Sequence, residues 1–192
     1  MPHPATIRTQ AWACERNFAF VTHRTGKGFW IFLPGRAVQL PEQHEGETKI
    51  YRAGDIELRV RGDRARLRFE AGDYHHCRND PARAFREQAR LEGYDFLARG
   101  GAPRWRLLLG EAIRLEILEG EATGIYHFTT PEAEIQPAAR HTRYNTQNRH
   151  HQLRLTLSGK TCFDRVTGRL FDVTVLVELD DRVLHGCGEA LL

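Results

Sequence analysis

The sequence predicts an all-β fold, with two small antiparallel β-barrel-like domains joined by one short helix. Three observations lead there. Short runs of residues alternate apolar and polar with a period of two, which puts one set of side chains on a core face and the other in solvent. Four cysteines, Cys14, Cys77, Cys162 and Cys187, fall into two pairs that each bracket one series of such runs. One stretch, just after Cys77, instead spaces its apolar residues by three and four, the helical signature.

Taken in order, residues 10–15, 18–22 and 29–33 are β-rich and separated by Arg24-Thr25-Gly26-Lys27-Gly28 and by other turn residues, and they read as a meander. Next, Ile56, Leu58 and Val60 alternate with Glu57, Arg59 and Arg61. After Gly62-Asp63, Ala65, Leu67 and Phe69 alternate with Arg64, Arg66 and Arg68. This is a hairpin whose outer face is rich in arginine. Asn79 or Asp80 then serves as an N-cap, Pro81 takes the first helical position, and Glu92-Gly93 stops a helix of about ten residues.

From Tyr94 strands resume, first at 105–109, then as Ile113, Leu115 and Ile117, then at 123–129. Residues 131–146 are polar and proline-bearing and read as a long excursion. Alternation returns at Leu153, Leu155 and Leu157 and at Val173, Val175 and Val177, before Val183-Leu184 and Cys187. No internal repeat is evident. The expected domains are 1–80, a linking helix at 81–93, and 94–192. Closure into barrels is expected because it removes edge strands.

No apolar run approaches the ~20 residues needed to cross a bilayer as a helix. The formal net charge of +3 is too small to point to nucleic acid, and no nucleic-acid partner is expected. Its placement is uneven. Residues 1–80 carry 13 Lys and Arg against 10 Asp and Glu, whereas residues 81–192 balance at 15 each.

Four cysteines permit three connectivities, and pairing Cys14 with Cys77 and Cys162 with Cys187 keeps both closed loops inside their own segments. Disulfides imply an oxidising compartment such as the periplasm. The start, Met1-Pro2-His3-Pro4, lacks the features of a secretory signal, so the reading expects a leader missing from the sequence as given, with an outer-membrane lipoprotein as one form of the mature protein.

Several stretches of the first half fit a known pattern: Ala11-Trp12-Ala13-Cys14, Phe32-Leu33-Pro34-Gly35-Arg36, Tyr51-Arg52-Ala53-Gly54-Asp55, Arg61-Gly62-Asp63 and the closing 73–77. On these, residues 10–78 resemble the membrane-bound inhibitor of C-type lysozyme family. The resemblance implies a small antiparallel barrel whose surface enters the lysozyme cleft and meets the pair of catalytic carboxylates. Family members place a serine before the Tyr-x-x-Gly segment and a lysine in the Lys-Gly-Asp turn. Here Arg61 takes the lysine position and keeps the charge, while the serine position falls near Glu47 or Thr48. The lysozyme-binding set implied is Glu47, Thr48, Lys49, Tyr51, Arg59 and Arg61. The second half resembles an uncharacterised bacterial envelope domain with Cys162-Phe163-Asp164, Thr167-Gly168 and Gly186-Cys187-Gly188, which implies a β-rich fold and no named activity.

Among the residues themselves, Arg59, Arg61, Arg64, Arg66 and Arg68 on one ladder set like charges near one another, a cost that an anionic partner would offset. Partial neutralisation by Glu57, Asp63 and Glu70 is the plainer account. His75-His76 and His150-His151 are neighbours on strands and point to opposite faces, so no metal is expected. Trp12, Trp30 and Trp105 read as core or strand-packing residues. Asp164 reads as the cap of a turn toward Gly168. No serine or free cysteine has the context of a nucleophile, and neither catalysis nor a cofactor is expected. The expected function is a periplasmic inhibitor of C-type lysozyme. The alternatives are an envelope scaffold meeting cell wall or lipid headgroups, and a small-ligand binding module.

Overall fold

The computed structural model describes residues 8–191, and these divide into two compact units, one running through Gln88 and one from Ala89 onward. The first unit contains β1 (Thr9–Ala13), β2 (Ala19–Thr25), β3 (Gly28–Leu33), β4 (Arg36–Leu40), β5 (Glu42–Glu45), β6 (Thr48–Ala53), β7 (Ile56–Arg61), β8 (Arg64–Phe69) and β9 (Gly72–Asn79). All pair antiparallel in the order β4-β3-β2-β1-β9-β8-β7-β6-β5. The two edge strands, β4 and β5, are separated in the chain by Pro41 alone, so the sheet must curl until its edges meet. The Arg52 amide of β6 donates to the Pro41 carbonyl (3.3 Å) at that seam.

Alternation fills this barrel. Trp12, Ile31, Leu58 and Leu67 have no exposed surface and Phe20 almost none, and on β3, β7 and β8 the residues between the core positions are partly or fully exposed. The indole of Trp12 donates to the Thr22 hydroxyl (3.0 Å), so its polar edge is satisfied inside the core. Trp30 faces outward and is half-buried, paired across the strands with Gln39.

Helix α1 (Pro81–Leu91) starts where the Asp80 carboxylate accepts the amides of Ala82 (3.0 Å) and Arg83 (3.1 Å), the expected N-cap. It is more than a linker. Ala84 is buried, and the Gln88 side-chain carbonyl accepts the Arg8 amide (2.8 Å), which fastens the helix to the start of β1.

The second unit contains β10 (Phe96–Gly101), β11 (Arg104–Leu109), β12 (Ala112–Ile117), β13 (Gly124–Thr129), β14 (Glu134–Gln136), β15 (His141–Gln147), β16 (Gln152–Ser158), β17 (Cys162–Asp164), β18 (Arg169–Phe171), β19 (Val173–Leu179) and β20 (Arg182–Ala190). Nine of these form one antiparallel sheet in the order β13-β12-β11-β10-β20-β19-β16-β15-β14, and β17 and β18 pair only with each other. The segment 131–146, expected as an excursion, instead holds β14 and most of β15. The Thr146 hydroxyl donates to the Thr129 carbonyl (3.0 Å) and the Asn148 side-chain amide to the His127 carbonyl (3.1 Å), drawing β15 toward β13.

With β17 and β18 set aside, the two units have the same strand order. Each is a four-strand meander followed by a five-strand one, and the last strand of the second returns to pair with the first strand of the unit. The sequence showed no repeat, because the shared feature is long-range pairing rather than side-chain identity. The fold is all-β, with two barrel-like units in the chain on either side of one helix.

Both expected disulfides are present. Cys14–Cys77 ties the chain just after β1 to β9, the last strand of its unit, while Cys162–Cys187 ties the β17–β18 hairpin to β20. Such bridges fit an oxidising compartment. Among the described residues no helix is long and apolar enough to cross a membrane.

Candidate functional site

The arginine-rich face lies on β7 and β8. Ile56, Leu58, Val60, Ala65 and Leu67 are buried, which forces Arg59, Arg61, Arg64, Arg66 and Arg68 to the outer surface. The register sets Arg59 opposite Arg66, Arg61 opposite Arg64, and Glu57 opposite Arg68. Two like-charge pairs therefore face each other directly, an unfavourable arrangement unless neighbouring acids intervene.

Acids do intervene, unevenly. Glu57 accepts from Arg52 Nε (2.7 Å) and Arg59 Nε (2.9 Å) and lies 3.6 Å from Arg68 Nη2. Hydrogen bonds from Arg59 and Arg52 hold its carboxyl below the ordinary carboxylate range. Asp73 on β9 takes a two-pronged contact from Arg66 (3.0 and 2.5 Å), which likewise lowers its pKa. Among the described residues Arg64 has no acidic partner.

The turns that close β5–β6 and β7–β8 lie at the same end of the sheet, and there the segment 45–49 meets Arg61. The Glu47 carboxylate accepts from Arg61 Nη2 (2.8 Å), with the two side chains 72% and 82% exposed. Glu45 lies 4.0 Å from Arg59. Gly62 makes the tight β7–β8 turn with φ at 60°, a region that favours glycine. Thr48, Arg59, Arg61, Arg64, Arg66 and His76 rim a shallow depression of about 230 Å³ on this face.

His76 reaches that rim through a bulge. Pairing shifts between Ala65 with Cys77 and Leu67 with Tyr74, so His75 and His76 together oppose Arg66, and His76 takes a left-handed backbone (φ 52°). The sequence held no signal for this, since register depends on the partner strand. His75 faces Asp73 (3.3 Å) and His151 faces Asp180 (2.7 Å). Among the described residues, no three His, Cys, Asp or Glu side chains converge as a metal site.

Of the six residues assigned to lysozyme binding, Glu47, Thr48, Arg59 and Arg61 come together at this end. Lys49 is exposed, but on the same side of β6 as Tyr51, opposite the buried Val60 and 3.8 Å from Glu42. Tyr51 is a core residue, 2% exposed and stacked on Phe29 with ring centroids 3.9 Å apart. Its position on the inward face of β6 removes it from the exposed contact surface, and its hydroxyl accepts from Arg24 Nη2 (2.8 Å). Burial pushes its phenol up to about 12. Arg24, expected in a turn, lies in β2 and also binds Glu42 (2.5 Å), so Glu42, Arg24 and Tyr51 form one chain of contacts. That chain borders a cavity of about 650 Å³ within the first unit, lined by Arg8, Arg24, Phe29, Lys49, Tyr51 and Val60 among others.

No family model, curated protein or solved structure matches this chain.

Proposed function

We propose that the first unit is a binding domain of the bacterial envelope, periplasmic or held at the outer membrane as a lipoprotein, that inhibits a C-type lysozyme by filling its cleft and does no chemistry itself. The observation that supports this reading is the convergence of segment 45–49 and the Arg61–Arg64 turn at one exposed end. An arginine fork matches a carboxylate in geometry as well as charge. Arg61 stands at the rim with only an exposed partner, and such surface pairs are worth ~0 to 1 kcal/mol, so exchanging Glu47 for a cleft carboxylate costs little. Arg64, with no acid of its own among the described residues, adds attraction for the second carboxylate. Thr48 supplies the hydroxyl beside them. Turnover of bacterial cell wall by a C-type lysozyme, measured with purified protein added, tests the reading. Loss of turnover at micromolar inhibitor is expected, and unchanged turnover removes the proposal.

A second reading rests on the cavity in the first unit. Its lining sets three cations, Arg8, Arg24 and Lys49, against one acid, Glu47, beside Phe29 and Val60, a composition suited to a small anionic ligand with an apolar body.

A further inference from the structure

The β17–β18 hairpin carries an exposed apolar face that the fold does not require. Residues 159–172 join β16 to β19, where the first unit joins the corresponding β7 and β8 with Gly62-Asp63 alone. The same sheet therefore forms without them. Alternation within the hairpin turns Asp164 and Phe171 inward, 6% and 4% exposed, and turns Phe163 and Leu170, directly opposite each other, outward at 59% and 67%. Val166 at the tip is 65% exposed. Three of the seven large exposed hydrophobics among the described residues thus fall within eight positions of the chain. Burying an apolar side chain is favourable in proportion to its area, so leaving Phe163 and Leu170 side by side in water, with Val166 largely exposed beside Gly101, is a standing cost.

The hairpin is held rigid. Asp164 accepts the Val166 amide (3.0 Å) and the Thr167 hydroxyl (2.6 Å), its carbonyl accepts the Gly168 amide (2.8 Å), and Cys162 is bonded to Cys187 on β20. Beneath it, Phe171 lies within cation–π reach of both Arg99 (5.2 Å) and Arg169 (5.3 Å). A preformed apolar face of this kind loses little conformational entropy when it is covered.

The surrounding charge identifies what covers it. Lys160, Arg165 and Arg169 are exposed around the apolar residues, and among the described residues none of the three has an acidic partner. Asp164 is buried in its capping role, which leaves Asp172 as the exposed acid of the segment. Aliphatic and aromatic side chains ringed by cations suit the boundary between acyl chains and anionic headgroups.

We infer that this hairpin is a membrane-surface anchor, with Phe163, Val166 and Leu170 entering the acyl region and Lys160, Arg165 and Arg169 meeting the phosphates of anionic lipid. The test is co-sedimentation of the full chain with vesicles of phosphatidylcholine alone and of phosphatidylcholine mixed with phosphatidylglycerol. Binding to the mixed vesicles is expected. The double variant F163S/L170S should weaken it by about tenfold or more, because two exposed apolar side chains lose their transfer gain. The variant R165Q/R169Q should weaken binding to the mixed vesicles by roughly fivefold for each cation. The F163S/L170S substitutions lie at exposed positions, so an unchanged thermal unfolding curve verifies that the unit stays folded.

Three results overturn the inference. The wild-type chain fails to sediment with the mixed vesicles. F163S/L170S binds as well as wild type, which assigns the attraction to charge alone, for instance on β7 and β8. F163S/L170S turns a self-associated protein into a monomer without any lipid binding, which makes the hairpin a contact between copies.

Discussion

Arg61→Ala and Glu47→Gln should move lysozyme inhibition in opposite directions. In the free protein the two side chains form a 2.8 Å pair at 72% and 82% exposure, in water and with little net energy. Once the end of the barrel enters a cleft, water is excluded and the partner is a carboxylate. Losing one member of such a desolvated pair costs ~2 kcal/mol or more, which is about a thirtyfold rise in inhibition constant for Arg61→Ala. Glu47 acts the other way. It competes for Arg61 and brings a negative charge toward a negative site, so Glu47→Gln should tighten inhibition by roughly twofold to fivefold, the scale of an exposed pair. The assay is steady-state lysozyme turnover titrated with each variant. Changes of the same sign, or two silent variants of an inhibiting protein, would refute the assignment of Arg61 as the cation that meets the cleft carboxylates.

Other consequences concern stability. Replacing Cys14 and Cys77 by serine opens a loop of 63 residues, and chain entropy puts the loss at about 4 kcal/mol, visible as a lower urea midpoint for the first unit. Gly186→Ala should unfold the second unit, since an added Cβ would lie 2.0 Å from the Arg99 carbonyl oxygen and 2.6 Å from the Trp105 ring; loss of the near-UV circular dichroism of packed tryptophan reads this out. Tyr51 keeps its proton up to about pH 12 in the folded state against 10 unfolded, so its contribution is complete below pH 10 and fades as pH rises toward 12. Tyrosinate absorbance should lose its last-titrating component in Tyr51→Phe, and an unchanged titration would count against this. Glu57 and Asp73 have lowered pKa values in the folded state, so their stabilisation is present above the ordinary carboxylate range and is lost as pH falls through the folded values. Glu57→Gln should flatten the acid limb of a thermal-stability profile against pH.

The sequence made some elements plain and hid others for physical reasons. The β7–β8 hairpin was readable because each strand has one buried and one solvated face, and the helix because Asp80-Pro81 starts it with side-chain chemistry that needs no tertiary partner. The disulfides followed from where the cysteines sit relative to those runs. β5, with the sequence Glu-Gln-His-Glu, and β15, with none of its residues buried, escaped notice because they lie at or next to an edge of their sheet, where no core face imposes an apolar period. At the site, the outward face of Arg59 and Arg61 was legible from alternation, whereas the Arg61–Glu47 contact required knowing that two turns share one end of a barrel. Tyr51 shows the converse error. Lys49 and Arg52 beside it are exposed, but Tyr51 itself points into the core.

Binding of the chain to a C-type lysozyme, titrated calorimetrically with the cleft empty and with the cleft filled by a chitooligosaccharide, is the most direct test. The account predicts a tight complex that the saccharide displaces competitively. Absence of heat with the empty cleft, or a complex indifferent to saccharide, would contradict it.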